Sequence, residues 1–512
     1  TYTTHGDAEG KTWHPQFNYF GMQWVQVTGL PEGYRPTTRT LTGLQLRGAV
    51  PAAGGVRTSN DRINRIHRMA HYSIMSNVFS TFTDCPGREK LSYPADYTQP
   101  FGALHRHFAF DAYLRTTQRH LVEGQSLEGD NVGNVALKTP VYDWGYLARF
   151  GDEINWGNGI ILVPWLSYEI YGDTQTMART YPQMQAFMDY IAREKADGYI
   201  VDAALADWAA ADTTTSGRIT GTWGYYQIAE RMAKMAELLG RDADASEYRE
   251  LAANIKEAFN AAFYNSVLGR YTSQGELGTE GATQAAQALA LDEGLAPDGE
   301  RRRVLDSLVE LIYSYHPSGG GPHFSAGTIG LAPVVRALMQ GGRDDVLWDV
   351  LQEDTYPSYG FFMAPTTENP NGLTTIPERW TMNDSKNHMI LLQIDEWFTS
   401  GLAGIRQAPG SVGYRRLVID PRVVGDLTHV EGSYETPYGE VESEWTRRNG
   451  TFRLEVDVPP NTTAEIRVPT GGREAYRTPR GATFLRIEGD RAVYRVSSGS
   501  FEFAARDVHA DS

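Results

Sequence analysis

The sequence predicts a mainly α-helical chain. An (α/α)6 toroid over residues 56–402 stands between the end of a β-sandwich domain at 1–55 and an antiparallel β-sandwich at 403–512. Three observations predict it. From about Ser59 to Gly401, apolar residues recur at helical spacing in a long series of segments parted by Gly and Pro clusters. No fixed-period repeat runs through that series, which disfavours a repeat solenoid and favours helical hairpins closed into a ring. Both ends of the chain carry β-branched and aromatic residues in alternation with polar ones.

Taken in order, the first elements are strands. Residues 17–27 are aromatic and β-branched, and residues 41–50 make a second candidate. Two or three strands make a poor domain alone. With the opening Thr1-Tyr2-Thr3-Thr4 and no methionine, they read as the tail of a sandwich whose earlier strands belong to an N-terminal segment of the same precursor. Ser59 or Asn60 then caps a helix carrying Ile63, Ile66, Met69 and Ala70. The spacing predicts further helices at 161–171, 177–192, 225–239, 248–262, 281–291, 303–314, 329–339 and 389–398. Past Ala403, strands are expected around Val418-Ile419, 441–445, 452–456 and 465–468, with turns at Asn449-Gly450 and Pro459-Pro460-Asn461.

Composition narrows the function. A formal net charge of −16 argues against nucleic acid and anionic membrane as partners. There is no apolar run long enough to span a bilayer and no signal peptide at the first residue, and of the compartments a secreted or periplasmic one is favoured over the cytoplasm. The single cysteine, Cys85, excludes an internal disulfide and any multi-cysteine metal site. The histidines show no HExxH or other tight ligand cluster, so neither a catalytic metal nor any cofactor is expected. The aromatic excess of 28 Tyr, 19 Phe and 11 Trp suits a sugar-binding cleft as well as a large core.

The stretch from Thr83 to Asp96 carries the chemistry. It sets Asp84, Glu89 and Asp96 in a segment broken by Pro86, Gly87 and Pro94, which reads as an irregular loop between helices. Closely spaced acids raise one another's pKa, which keeps one protonated while another stays ionised. Far along the chain, Glu378 stands on a second loop beside Trp380. Two loop carboxylates converging across a cleft are the minimum apparatus of glycoside hydrolysis. Tyr93, Trp144, Trp156, Trp208 and Trp380 could hold sugar faces. The plainer reading is a solvated acidic loop with Arg88 paired to Glu89 or Asp84, and aromatics in the core.

The Asp84–Asp96 stretch resembles the motif of bacterial α-L-rhamnosidases, glycoside hydrolase family 78, with Glu89 five residues after Asp84 and Asp96 seven after Glu89. Further matches follow in order. They include Phe17-Asn18-Tyr19-Phe20-Gly21, Trp156-Gly157-Asn158, Asp207-Trp208, Tyr356-Pro357-Ser358-Tyr359-Gly360, Pro377-Glu378-Arg379-Trp380, Asn387-His388 and Ser433-Tyr434-Glu435-Thr436-Pro437-Tyr438-Gly439. The resemblance implies inverting hydrolysis of terminal α-L-rhamnose from a rhamnose-containing saccharide, with Glu89 as general acid and Glu378 as general base. Asp84 and Asp96 would hold sugar hydroxyls, and Arg88, Tyr93, Asn158 and His388 join the candidate binding residues.

The departures bear on the substrate. Ser92-Tyr93-Pro94-Ala95-Asp96 replaces the family's Gly-Trp-x-Gly-Asp, Asn158 stands for an aspartate, and Lys90 for an arginine. A polysaccharide lyase on a related toroid, splitting a rhamnosyl–glucuronate link by β-elimination, is the alternative; Lys90, Tyr93, Asn158 and His388 would then serve it. A non-catalytic sugar-binding protein is the third reading, disfavoured by the paired glutamates. Cys85 is expected to pack against the loop rather than act as a nucleophile. His105 and His107 are expected on different faces of a helix.

Overall fold

The computed structural model describes residues 3, 11–22, 24–140, 153–475, 477–506 and 508. It is helix-rich, and the strands of its two larger sheets, apart from one that precedes the first helix, follow the helices. The helical series runs α1 Asp61–Met75, α2 Pro94–Thr98, α3 Phe101–His107, α4 Asp111–Glu123, α5 Ile154–Gly157, α6 Gly159–Tyr171 and α7 Thr174–Tyr190. It continues with α8 Gly217–Leu238, α9 Asp242–Phe263, α10 Gln284–Asp292, α11 Arg301–Ser314, α12 Leu331–Gln340, α13 Asp344–Gln352, α14 Tyr359–Met363 and α15 Asp395–Trp397. No helix among the described residues is long and apolar enough to cross a membrane.

Local chemistry sets these boundaries. Asn60 is the α1 cap: its side chain accepts the Arg62 and Ile63 N–H groups, while Ile63, Ile66, Met69, Ala70 and Ile74 turn into the core. Helix α6 is apolar on nearly every face and is mostly buried. Its Pro164 cannot donate to the Ile160 carbonyl, and Gln118 of α4 supplies the missing donor at 2.9 Å. Gly172 ends α6 at φ +78°, and Asp173 starts α7 by accepting from Gln175 and Thr176. The pairs α6–α7, α8–α9 and α10–α11 pack as consecutive hairpins.

The strands are β1 Gly54–Thr58, β2 Ala196–Asp197, β3 Ile200–Val201, β4 Tyr264–Asn265, β5 Arg270–Tyr271, β6 Ile405–Gln407 and β7 Arg416–Ile419. After these come β8 His429–Thr436, β9 Gly439–Arg448, β10 Thr451–Val458, β11 Thr463–Pro469, β12 Thr483–Glu488, β13 Arg491–Val496 and β14 Gly499–Arg506. One five-stranded sheet is ordered β1-β8-β9-β10-β14, the other β12-β13-β11-β7-β6. Burial alternates along β8 and β10, as expected for strands with one face on a core. Asn449 and Gly450 turn β9 into β10 with both φ positive, the geometry that favours this dipeptide.

Four expectations need correction. Strand β1 crosses the expected 55/56 boundary and pairs with β8 (Gly54 opposite Tyr434), so its backbone partners lie in the C-terminal sheet. The second sheet is not purely antiparallel: β11 lies parallel to β7, because the chain crosses to the other sheet for β8–β10 and returns in the same direction. Residues 17–27 and 41–50 form no strand among the described residues; a strand needs a continuous ladder, and the backbone bonds they make to other segments are single ones, Gly21 N–H to the Pro86 carbonyl and Gly48 N–H to the Val78 carbonyl. The expected helix at 389–398 is a run of turns leading to α15 and a π-helical turn, Phe398–Leu402. There the His388 Nδ1 accepts the Met389 and Ile390 N–H groups, and Gln393 binds the Thr328 and Ile390 carbonyls.

Candidate active site

The acid-bearing loop is closed by its own residues. The Asp84 N–H donates to the Leu91 carbonyl at 2.8 Å, and the Leu91 N–H donates to Asp84 Oδ1 at 2.7 Å. Between them the buried Cys85 Sγ accepts the Glu89 N–H, and burial pushes its thiol up to about 11. Lys90 sits at φ +61°, a left-handed conformation that a non-glycine residue holds only when fixed from outside. The fixing segment is 19–21. Lys90 Nζ donates to the Tyr19 carbonyl at 2.7 Å and lies 4.5 Å above the Tyr19 ring. The Gly21 N–H reaches the Pro86 carbonyl at 3.0 Å, where a β-carbon on residue 21 would meet Pro86 at 2.9 Å.

The loop was expected to continue through Asp96; instead Asp96 rises in the first turn of α2. Pro94 is the first residue of that helix, where its missing N–H costs nothing. Glu378 comes from a separate loop. Its N–H donates to the Ser385 carbonyl, and the Ile376 N–H and C=O are taken by Ser73 of α1 and by the His388 N–H, each at 2.8 Å.

Arg88 joins the two loops. Its Nη2 lies 2.8 Å from Glu89 Oε1 and 3.1 Å from Glu378 Oε2, so those oxygens are no farther apart than the sum, about 6 Å. Its Nη1 reaches Asp384 at 3.1 Å. The Tyr93 hydroxyl donates to the other Glu89 oxygen, Oε2, at 2.7 Å. Burial raises the Glu378 carboxyl against the opposing charge of Arg88. Burial also lifts Asp84 to about 6. Asp96 is raised well above the carboxylate range, by burial first and then by the charges of Asp84, Glu378 and Glu89. It stands near the Trp156 indole, with His388 Nε2 at 3.7 Å. Burial and then the charge of Arg88 lower His388 to about 3, so it is a neutral imidazole with Nδ1 accepting.

The candidate residues thus divide. Asp84, Arg88, Glu89, Tyr93, Asp96, Glu378 and His388 come together. Trp208 is linked to them through Arg379, whose guanidinium lies 4.4 Å above its ring and pairs with Asp384. Trp380 is not: it is 1% exposed, stacked on Phe362, edge-on to Tyr359, and its indole N–H donates to the Ala326 carbonyl. It is a core residue, because the loop carrying Glu378 turns the next apolar side chain inward. Trp156 is buried behind Asp96. Asn158 is fully buried between α5 and α6, with neither amide atom hydrogen-bonded among the described residues. Trp144 lies outside the described residues.

Sequence reasoning missed Asp384, Ser385, Arg379 and the buried Lys138. Burial lowers the Lys138 ammonium while the charge of Glu89 opposes the shift. No motif marks Asp384, Ser385 or Lys138, and Pro377-Glu378-Arg379-Trp380 gives Arg379 no role of its own; only the fold brings them to the acids. The described residues also hold one group of metal-ligand composition, His67, His107 and Asp395. Its contacts are hydrogen bonds, His67 Nδ1 to Oδ1 at 2.7 Å and His107 Nε2 to Oδ2 at 2.6 Å. Burial alone would raise Asp395, yet the two imidazoles hold it well below the carboxylate range. The triad ties α1, α3 and α15 to β1, whose Val56 N–H donates to His67 Nε2.

Residues 51–402 match the family model described as the bacterial alpha-L-rhamnosidase 6 hairpin glycosidase domain. Residues 404–483 match the bacterial alpha-L-rhamnosidase C-terminal domain, and 1–47 the concanavalin-like domain of the same group. An alpha-L-rhamnosidase of Streptomyces avermitilis is 31% identical over 98% of this chain and 46% of its own length. One from Formosa agariphila is 27% identical over 96% and 53%. The chain therefore spans about half the length of the curated relatives it matches. Among solved structures, the Streptomyces avermitilis alpha-L-rhamnosidase complexed with L-rhamnose has a TM-score of 0.78 at 29% identity, over 90% of this chain and 42% of that one. The alpha-L-rhamnosidase from Dictyoglumus thermophilum has a TM-score of 0.78 at 28% identity, over 90% and 51%.

Proposed function

The chain belongs to the bacterial α-L-rhamnosidase family, and on that premise we propose that it hydrolyses terminal α-L-rhamnose from an oligo- or polysaccharide with inversion. Glu89 is the general acid that protonates the leaving oxygen. Glu378 is the general base that takes a proton from water as the water attacks the anomeric carbon. The observation that carries this reading is the Arg88 nitrogen shared by Glu89 and Glu378, two acids on separate loops of the chain.

The surrounding residues supply the rest of the chemistry. The raised Asp84 and Asp96, the neutral His388 and the Arg88 fork offer donors and acceptors to sugar hydroxyls, and Trp208 offers an aromatic face next to Arg379. The consecutive hairpins support an (α/α)6 toroid, and the two five-stranded sheets support a β-sandwich against it. Inversion is the stereochemistry the family resemblance implies. The relatives reported above carry hydrolase names, and nothing supports the elimination reading.

The test is incubation with p-nitrophenyl α-L-rhamnoside and, separately, with a rhamnose-capped glucuronate oligosaccharide, followed by proton NMR. Free L-rhamnose released first as the β-anomer is expected. A first-formed α-anomer would overturn inversion, and no free rhamnose from either substrate would overturn the hydrolase.

A further inference from the structure

We propose that Tyr93 is a positioning residue that divides the labour between the two oxygens of Glu89, holding Oε2 as the fixed acceptor and leaving Oε1 to carry the transferred proton. This rests on the assignment of Glu89 as general acid. The geometry supplies the argument. Oε2 accepts from the Tyr93 hydroxyl at 2.7 Å, and Oε1 accepts from Arg88 Nη2 at 2.8 Å. In this arrangement both oxygens face donors, which suits a carboxylate. A carboxylic acid has one hydroxyl, which must point at an acceptor, and a guanidinium cannot accept. Protonation of either oxygen turns it into a weaker acceptor, so one of the two donors must loosen its hold as Glu89 takes up the proton it carries to the sugar.

Arg88 is the one able to leave. Its side chain is 48% exposed and already holds two other anions, Glu378 and Asp384, each at 3.1 Å. Turning away from Oε1 keeps it paired. Tyr93 has no comparable alternative. Its ring is packed against the hydrophobic core, and the residue caps α2 just before Pro94. Among the described residues its hydroxyl has Glu89 as its hydrogen-bond partner. A phenol also donates to the carbonyl oxygen of a neutral acid, so this bond persists in both protonation states. It is stronger to the carboxylate. Tyr93 therefore favours the form Glu89 adopts as the proton leaves Oε1 for the glycosidic oxygen.

The experiment is Tyr93→Phe, which keeps the ring and removes the hydroxyl, assayed on p-nitrophenyl α-L-rhamnoside across pH. We expect an unchanged melting curve, KM within about twofold, and kcat lower by about tenfold, the effect of about one charge-assisted hydrogen bond. The alkaline limb of the rate profile should move up by about one pH unit while the acid limb stays. A purely structural or sugar-stacking Tyr93 would change KM or stability and leave the limb in place; that result overturns the proposal. Absence of rhamnoside turnover in the unaltered protein is a different failure, that of the hydrolase reading itself.

Discussion

Asp84 and Leu91 close the acid-bearing loop by a reciprocal pair of hydrogen bonds, at 2.8 Å from N–H to carbonyl and 2.7 Å from N–H to carboxylate. The carboxylate that makes this closure is also strained by burial. Its ordinary value of 3.8 becomes about 6 in the folded chain. The unfolded carboxyl thus ionises first as pH rises, and folding stability is lost between about pH 4 and 6. The loss is on the order of 3 kcal/mol and levels off above that window. Asp84→Asn keeps an acceptor for Leu91 and removes the charge. Urea melts of the two proteins should differ little at pH 4 and favour the variant above pH 6; parallel curves would contradict the assignment.

Arg88→Met tests the bridge between the glutamates. Its positive charge opposes the burial that raises Glu378. Without it, Glu378 ionises at higher pH, so the acid limb of kcat/KM should move upward. An acid limb that stays in place would show that Arg88 does not tune the base.

Glu89→Gln and Glu378→Gln should each lower turnover of a natural rhamnoside by at least about 10²-fold, the lower bound for losing general acid or base catalysis. Either variant retaining activity within tenfold of the unaltered protein would remove that residue from the mechanism. Both amides keep the side-chain shape, so circular dichroism should be unchanged.

Gly21→Val tests the brace on the acid-bearing loop. The β-carbon would press on Pro86 and part segment 19–21 from the Lys90 turn. Misplacement of a catalytic group by about 1 Å costs up to about 10²-fold. The expected signature is a reduced kcat with rhamnose affinity nearly kept. A fall in affinity with normal kcat would put the brace at the sugar instead.

Trp380→Ala should cost about 3–5 kcal/mol of stability, since it opens a cavity against Tyr359 and Phe362 and strands the Ala326 carbonyl. Chemical denaturation at pH 7 measures it. A loss below about 1 kcal/mol would mean that the ring faces the cleft after all.

Sequence reading succeeded where information is local. The α1 cap, the Asn449-Gly450 turn and the strands at 441–445 and 452–456 depend on neighbours a few residues away. The acids of 83–96 were visible because they share one stretch. Failures began where distant residues decide. Trp380 and Trp208 look alike in sequence, yet one enters the core and the other takes Arg379 on its face. The segment 389–398 has helical spacing, but His388 and Gln393 claim its backbone groups first. Asp384 and Ser385 carry no signal, since their partners, Arg88 and Glu378, are specified only by loop approach.

Strand β1 pairs Thr58 with Val430, a partner about 370 residues further along the chain. At about 5–20 residues per second, a ribosome needs roughly 20–70 s to supply that partner once Thr58 has been made. Through that interval β1 has an unsatisfied edge, and His67, which accepts from Val56, waits with it. The N-terminal end of the helical region therefore cannot finish folding as it is synthesised. It is held open until β8 appears, and a nascent chain stalled before residue 429 should still be cut by protease near β1.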